Sequence, residues 1–119
     1  MKHNPGFLAL VNDAKSRIQQ ITIEDLKSML AAREKFLLVD IREESEWAAG
    51  HPAGAVYLGK GIIERDIETV VPDKSTKLVL CCGGGYRSAL SAEALQKMGY
   101  TNVISLDGGW RDYHESGLP

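Results

Sequence analysis

Three stretches of this chain are continuously apolar where a half-exposed strand would alternate: residues 36–41 (FLLVDI, broken by one acid), 78–81 (LVLC) and 103–106 (VISL). Strands buried on both faces read this way, as in a parallel sheet covered by helices. Residues 55–58 (AVYL) make a weaker fourth strand. Helical patterns fill the intervals. Residues 24–33 set Leu26, Met29 and Leu30 on one face behind Thr22 as N-cap, and residues 88–98 set Leu90, Ala94, Leu95 and Met98 together before Gly99. Ile62, Ile63, Ile67 and Val70 mark a further helix ended by Pro72, and residues 44–49 and 109–115 suit two short ones. Strands alternating with helices over ~100 residues predict an α/β fold, with a mainly parallel central sheet flanked by helices on both faces.

With 119 residues, 44% of them apolar and 25% charged, the chain has the makeup of one globular domain rather than two, or of a disordered segment. A net charge of −2 without any basic block argues against a nucleic-acid partner. No apolar run approaches the ~18 residues that cross a bilayer, so no membrane partner is expected. Residues 7–11 (FLALV) are too short for a secretory core and lead into Asn12 and Asp13, which makes the cytoplasm the expected location. Phe7, Val11, Ala14 and Ile18 form an amphipathic helical stripe ahead of the first strand. Residues 1–20 are therefore read as a helical extension, packed across the domain or kept as a surface for a partner, and residues 21–119 as the domain itself.

Chemistry concentrates where the second apolar run ends: Cys81 and Cys82, then Gly83, Gly84, Gly85, Tyr86, Arg87 and Ser88, then a helix. Ligands of open α/β sheets bind beyond the carboxyl ends of strands. Glycines let such a loop curl with its N–H groups inward, and the helix start adds free N–H groups and the positive end of its dipole. Arg87 contributes a fixed positive charge. A thiol at the centre is favoured as thiolate and becomes a nucleophile with its anion stabiliser built in. Cys82 is the candidate; Cys81 reads as a small residue ending the strand. Adjacent cysteines make a strained disulfide, and His3, His51 and His114 lack zinc-ligand spacing, so neither a structural bridge nor a metal is expected, and no cofactor.

Residues 82–88 (CGGGYRS) match the C-x-x-G-x-R-S active-site loop of the rhodanese-like sulfurtransferases. Residues 39–43 (VDIRE) with Trp47 and residues 50–55 (GHPAGA), then residues 99–103 (GYTNV) with 106–110 (LDGGW), resemble two further segments of that family in the right order. The resemblance implies a single small rhodanese-like domain and a persulfide cycle. In it Cys82 takes sulfur from a small donor anion such as thiosulfate, N–H groups from Gly83 to Ser88 cradle it, Arg87 closes the loop, and a thiol or cyanide removes it. A protein acceptor, with the domain as sulfur carrier, is the alternative; a phosphatase or arsenate reductase ranks lower, because those loops carry five residues between Cys and Arg against four here. Two departures stand out: the proline of residues 51–55 is shifted by one place, and positions 83 and 84 offer no side-chain donors.

Asp40 and Arg42, at the end of the first long strand, are read either as orienting loop or substrate at the rim, or as structural, with Arg42 pairing Glu46 at helical spacing. His51 is expected to tie down its turn by a hydrogen bond, Trp110 to wall the pocket or fill the core, and Glu64, Asp66 and Glu68 to form a solvated helix face.

Overall fold

The three apolar runs become the three inner strands of one sheet. The structure, a computed structural model, describes residues 3–119, so residues 1 and 2 of the expected extension lie outside the described residues. In chain order the elements are α1 (Pro5–Lys15), β1 (Gln19–Ile21), α2 (Ile23–Ala31), β2 (Leu37–Asp40), α3 (Glu44–Ala49), β3 (Val56–Tyr57), α4 (Ile63–Val70), β4 (Leu78–Cys81), α5 (Arg87–Lys97), β5 (Val103–Leu106) and α6 (Gly109–Glu115). The strand order is β1-β5-β4-β2-β3 and every pair is parallel. Register aligns Asp40 with Cys81, so β2 and β4 finish together at one end of the sheet.

Strand alternation divides the inner side chains between two cores. Val39, Leu78, Leu80 and Val103 pack with Ile63 and Ile67 of α4 and Leu95 of α5. Leu38, Val79, Ile104 and Leu106 pack on the other face with Leu26 of α2 and Tyr113 of α6. Helices thus cover both faces, as expected. Full burial of one such Leu or Ile stabilises by about 1.5–3 kcal/mol, and truncating Leu80, wholly buried, to Ala would cost about 2–5 kcal/mol.

Several details differ from the sequence reading. The first helix stops at Lys15 instead of reaching residue 20, and Gln19–Ile21 pairs with β5 as an edge strand. Ile18 still reaches the α4/α5 core from the connection between them. On α2, Thr22 caps as expected: its hydroxyl accepts from Asp25 N–H at 3.2 Å while its own N–H donates to Asp25 Oδ2 at 2.9 Å. Leu30 and Val70, expected inside, are exposed, and Val71 beyond the helix end is buried instead. On α5 the buried residues are Ser88, Ala89, Ser91, Ala92 and Leu95, while Leu90 and Ala94 are only half-buried. The reason is that α5 is sandwiched: the sheet lies on one side and α1 on another, with Val11 and Ala14 of α1 fully buried and Arg17 Nε donating to Glu93 Oε2 at 2.6 Å. Small residues let three layers approach closely. Of the amphipathic extension's two readings, the structure bears out the helix packed across the domain.

Candidate active site

The adjacent cysteines point opposite ways because strand side chains alternate. Cys81 enters the α2/α6 core and is fully buried. Burial, and then the Asp40 carboxylate, push its thiol far above the ordinary range, so it stays neutral and structural. Cys82 lies on the opposite face, and both thiols are free. The Cys82 Sγ accepts the Gly85 N–H at 3.1 Å and the Ser88 N–H at 3.4 Å, and lies 3.4 Å from Ser88 Oγ. Behind it, Ser88 Oγ and Ser105 Oγ are 2.7 Å apart, both fully buried. Ser105 went unnoticed in the sequence, although a lone hydroxyl inside the VISL run was the available signal.

Why the loop turns its N–H groups inward can be read from its carbonyls. Trp110 N–H donates to the Cys82 carbonyl at 2.6 Å and Arg111 N–H to the Gly83 carbonyl at 3.1 Å. These N–H groups belong to the first turn of α6, which intrahelical bonding leaves free. Gly109, at φ +50°, has to be glycine, since a Cβ there would run into the Cys82 carbonyl. Of the three loop glycines only Gly85 carries a positive φ, +94°, and its Cβ would stand 3.1 Å from Asp107 Cα and Gly108 N. Gly83 and Gly84 have no such demand on the backbone; Cβ atoms there would meet only the Arg87 guanidinium at 3.0 Å and the Tyr86 ring at 3.4 Å. The start of α5 directs the positive end of its dipole at the sulfur.

Cys82 lines a cavity of about 430 Å³ together with Tyr86, Arg87, Arg111 and, from the N-terminal segment, His3 and Phe7. The residue as a whole is only 1% exposed. Arg87 makes a two-pronged ion pair with Glu46 of α3, and that guanidinium holds the Glu46 carboxyl below the usual glutamate range. Sequence reasoning missed Glu46, His3 and Phe7 as neighbours of the site; only Phe7 carried a signal, as part of the amphipathic stripe.

Asp40 and Arg42 do not meet the cavity. They form a buried pair, with Arg42 Nη2 donating to Asp40 Oδ2 at 2.7 Å and to the Gly50 carbonyl at 2.7 Å. The Arg42 guanidinium also lies over the Trp110 ring, 4.8 Å from its centroid. This geometry favours the structural of the two readings of the pair, although the expected partner Glu46 is taken by Arg87. Asp40 is fully buried at the end of β2, and Arg42 folds back to neutralise it. His51 behaves as expected, with Nδ1 2.9 Å from the Trp47 carbonyl and its ring stacked on Trp47. Trp110 packs against the α2/α6 core and does not wall the cavity. Glu64 and Glu68 are exposed and Asp66 pairs with Arg65. Among the described residues no group of three His, Cys, Asp or Glu is arranged to hold a metal ion.

Comparison with known proteins accounts for this loop. The sequence profile of the rhodanese-like domain matches residues 22–116. The chain belongs to the rhodanese-like domain family. This rhodanese-like chain is 33% identical over 102 residues to a sulfurtransferase of Allochromatium vinosum, covering 86% of this chain and 94% of that protein. It is 28% identical over 98 residues to the putative sulfur carrier protein YrkF of Bacillus subtilis, covering 82% of this chain and about half, 52%, of that longer relative. Among solved structures it is similar to RPA3614 of Rhodopseudomonas palustris, described as a protein of unknown function and possible tyrosine phosphatase, with a TM-score of 0.88 at 27% identity. That likeness covers 100% of this chain and 96% of that one, so it includes the N-terminal helix and the rhodanese-like fold together.

Proposed function

We propose that the protein is a rhodanese-type sulfurtransferase that carries sulfane sulfur on Cys82. The observation that carries this reading is the setting of the Cys82 Sγ: two backbone N–H groups donate to it, and it donates to Ser88 Oγ at 3.4 Å, beneath an opening large enough for a substrate. In the first half-reaction the thiolate attacks the outer sulfur of thiosulfate, the S–S bond of the donor breaks, and sulfite leaves with the electron pair. The Cys82–S–S⁻ anion so formed lies among the same donors, so charge is stabilised where it develops. In the second, cyanide or a thiolate bonds to the outer sulfur and the Cys82 thiolate departs. No separate base is required for loading. The reading sets this chemistry in the cytoplasm, where a reducing pool keeps the thiol available.

Ring size supports this over phosphate chemistry. Four residues separate Cys82 from Arg87, which makes a small ring suited to a single sulfur atom rather than to a tetrahedral oxyanion. Treating the protein with thiosulfate should add one sulfur atom to Cys82 by mass spectrometry, and Cys82→Ser should take up none. Sulfur transfer that persists in the serine variant, or hydrolysis of a phenyl phosphate at a comparable rate, would overturn the reading. The likeness to YrkF favours a protein acceptor as the second reading; delivery of the bound sulfur to no small acceptor at all would establish it.

A further inference from the structure

Three elements hold the cysteine loop, and one of them lies outside the span matched to the family. The start of α6 takes the carbonyls of Cys82 and Gly83, and Glu46 of α3 takes the Arg87 guanidinium. Tyr86 is the third handle. It stands between Gly85 and Ser88, whose N–H groups both donate to Cys82 Sγ, and it is the N-cap residue of α5 without a capping hydrogen bond from its side chain. Its ring instead meets the N-terminal segment. His3 lies at 4.4 Å and Phe7 at 6.2 Å between ring centroids, and the Lys15 ammonium is 5.0 Å from the Tyr86 centroid. All three residues precede residue 22, where the family match begins.

The segment is itself anchored. Val11 and Ala14 of α1 are fully buried, and Arg17, just beyond the helix, donates to Glu93 of α5 at 2.6 Å. Lys15 reaches two loops at once, because its Nζ also lies 4.0 Å from Oδ1 of Asp107, the residue whose backbone closes on Gly85. A cation within about 6 Å of a ring centroid is drawn to the face of the ring. Lys15 therefore ties the Tyr86 ring to the turn after β5. Phe7 and Tyr86 line the cavity, whereas Lys15 stands outside its lining. An effect of Lys15 on the sulfur must then pass through Tyr86 and Asp107, not through contact with substrate.

Resting on the sulfur-transfer reading above, we propose that Lys15 and Phe7 are positioning residues for sulfur loading. They fix the Tyr86 ring, and through it they keep the Gly85 and Ser88 N–H groups on the Cys82 sulfur while the persulfide anion forms. Gly83, Gly84 and Gly85 have no side chains by which the loop could be held, so Tyr86 is the first residue after the cysteine that another element can grip. Donors fixed in advance need no reorganisation as charge develops, whereas a helix start left free frays and must be reordered at each turnover. The N-terminal helix is on this account a working part of the loop, although the family span begins after it.

The test is single-turnover loading of the full-length protein with thiosulfate, followed to saturation. Lys15→Met keeps the apolar stem and removes the ammonium. It should slow the saturated rate about threefold, the scale of one cation–ring contact at a partly exposed site. Lys15→Met combined with Phe7→Ala should slow it about tenfold, since a ring–ring contact is lost as well. Lys15→Arg, which returns a cation to the Tyr86 face, should restore most of the rate. In Lys15→Met the half-saturating thiosulfate concentration should move less than twofold, because a cation that merely draws in the anion acts on that concentration and leaves the saturated rate alone. A purely structural role would lower the melting temperature without slowing the folded protein. A saturated rate unchanged in both variants, a loss confined to the half-saturating concentration, or a Lys15→Arg chain as slow as Lys15→Met would each overturn the proposal. Wild-type protein that takes up no sulfur from thiosulfate or polysulfide would instead remove the reading on which it rests.

Discussion

Arg87, at the first residue of α5, grips Glu46 of α3 with both terminal nitrogens, Nη1 to Oε1 at 2.9 Å and Nη2 to Oε2 at 3.2 Å. The same carboxylate accepts the Glu43 N–H at 3.0 Å, so the entry of α3 and the lip of the cavity share one anchor. Glu46 partly neutralises the cation that faces an incoming anion. Glu46→Gln should therefore lower KM for thiosulfate by roughly three- to tenfold, as expected when a like charge is withdrawn from an anion's approach; steady-state kinetics would reveal it, and a raised KM would contradict it. Because the folded-state value of Glu46 is depressed, its contribution to stability is complete above the ordinary glutamate value of 4.5 and is lost as pH falls below that through the folded value. Both side chains are about one-third exposed, so solvent screening keeps that contribution to no more than ~1 kcal/mol.

The two cysteines should behave as different chemical species. Iodoacetamide should alkylate Cys82 and spare Cys81, whose thiol is neutral and sealed in the opposite core. Cys81→Ala should load sulfur normally while losing about 1–2 kcal/mol of stability by cavity formation. Peptide mapping after brief alkylation decides the first point and urea denaturation the second.

Gly85 and Gly84 offer a sharp contrast within one loop. Gly85→Ala forces a Cβ into the backbone of residues 107 and 108 at a positive φ, and should cost at least ~1–3 kcal/mol and abolish sulfur uptake. Gly84→Ala meets only the edge of the Tyr86 ring and should retain both fold and loading.

Once Cys82 has lost its proton, the Ser88 hydroxyl that accepted from it at 3.4 Å is placed to become a third donor to the sulfur. Ser88→Ala should slow loading about tenfold, the scale of one hydrogen bond to a charged group at ~1.5 kcal/mol. Ser105→Ala, which removes only the partner that orients Ser88, should slow it less. Single-turnover loading with thiosulfate separates the two, and a larger loss in Ser105→Ala would reverse their order.

Breaking the Asp40–Arg42 pair should act on the fold alone. Arg42→Met leaves a buried carboxylate without its partner and should cost about 3–5 kcal/mol, much of which Asp40→Asn in the same chain should restore. The folded fraction of Arg42→Met should keep the wild-type KM for thiosulfate, since neither residue lines the cavity. A raised KM would return the pair to the substrate.

The inner strands were legible because burial on both faces removes the need for polar alternation, and β2, β4 and β5 appear where their apolar runs stand. The cysteine loop was legible for a related reason: its backbone geometry imposes glycine at position 85 and its anion chemistry imposes the cysteine. What escaped was set by partners distant in sequence. β1 contains two exposed glutamines and is a strand only because β5 offers it backbone hydrogen bonds. The choice between Arg42 and Arg87 as partner of Glu46 turns on where α3 comes to rest, 41 residues before Arg87 in the chain. His3 and Phe7 reach the cavity only because α1 settles across α5, a docking that an amphipathic stripe permits without specifying its direction.

The grip of α6 on the Cys82 and Gly83 carbonyls means that the cup is shaped before any cargo arrives. Water around a free persulfide must reorient each time charge appears or departs, whereas peptide dipoles tethered to another helix have nowhere to turn. Repeated filling and emptying can thus proceed on an immobile scaffold, with the traffic confined to sulfur atoms and protons.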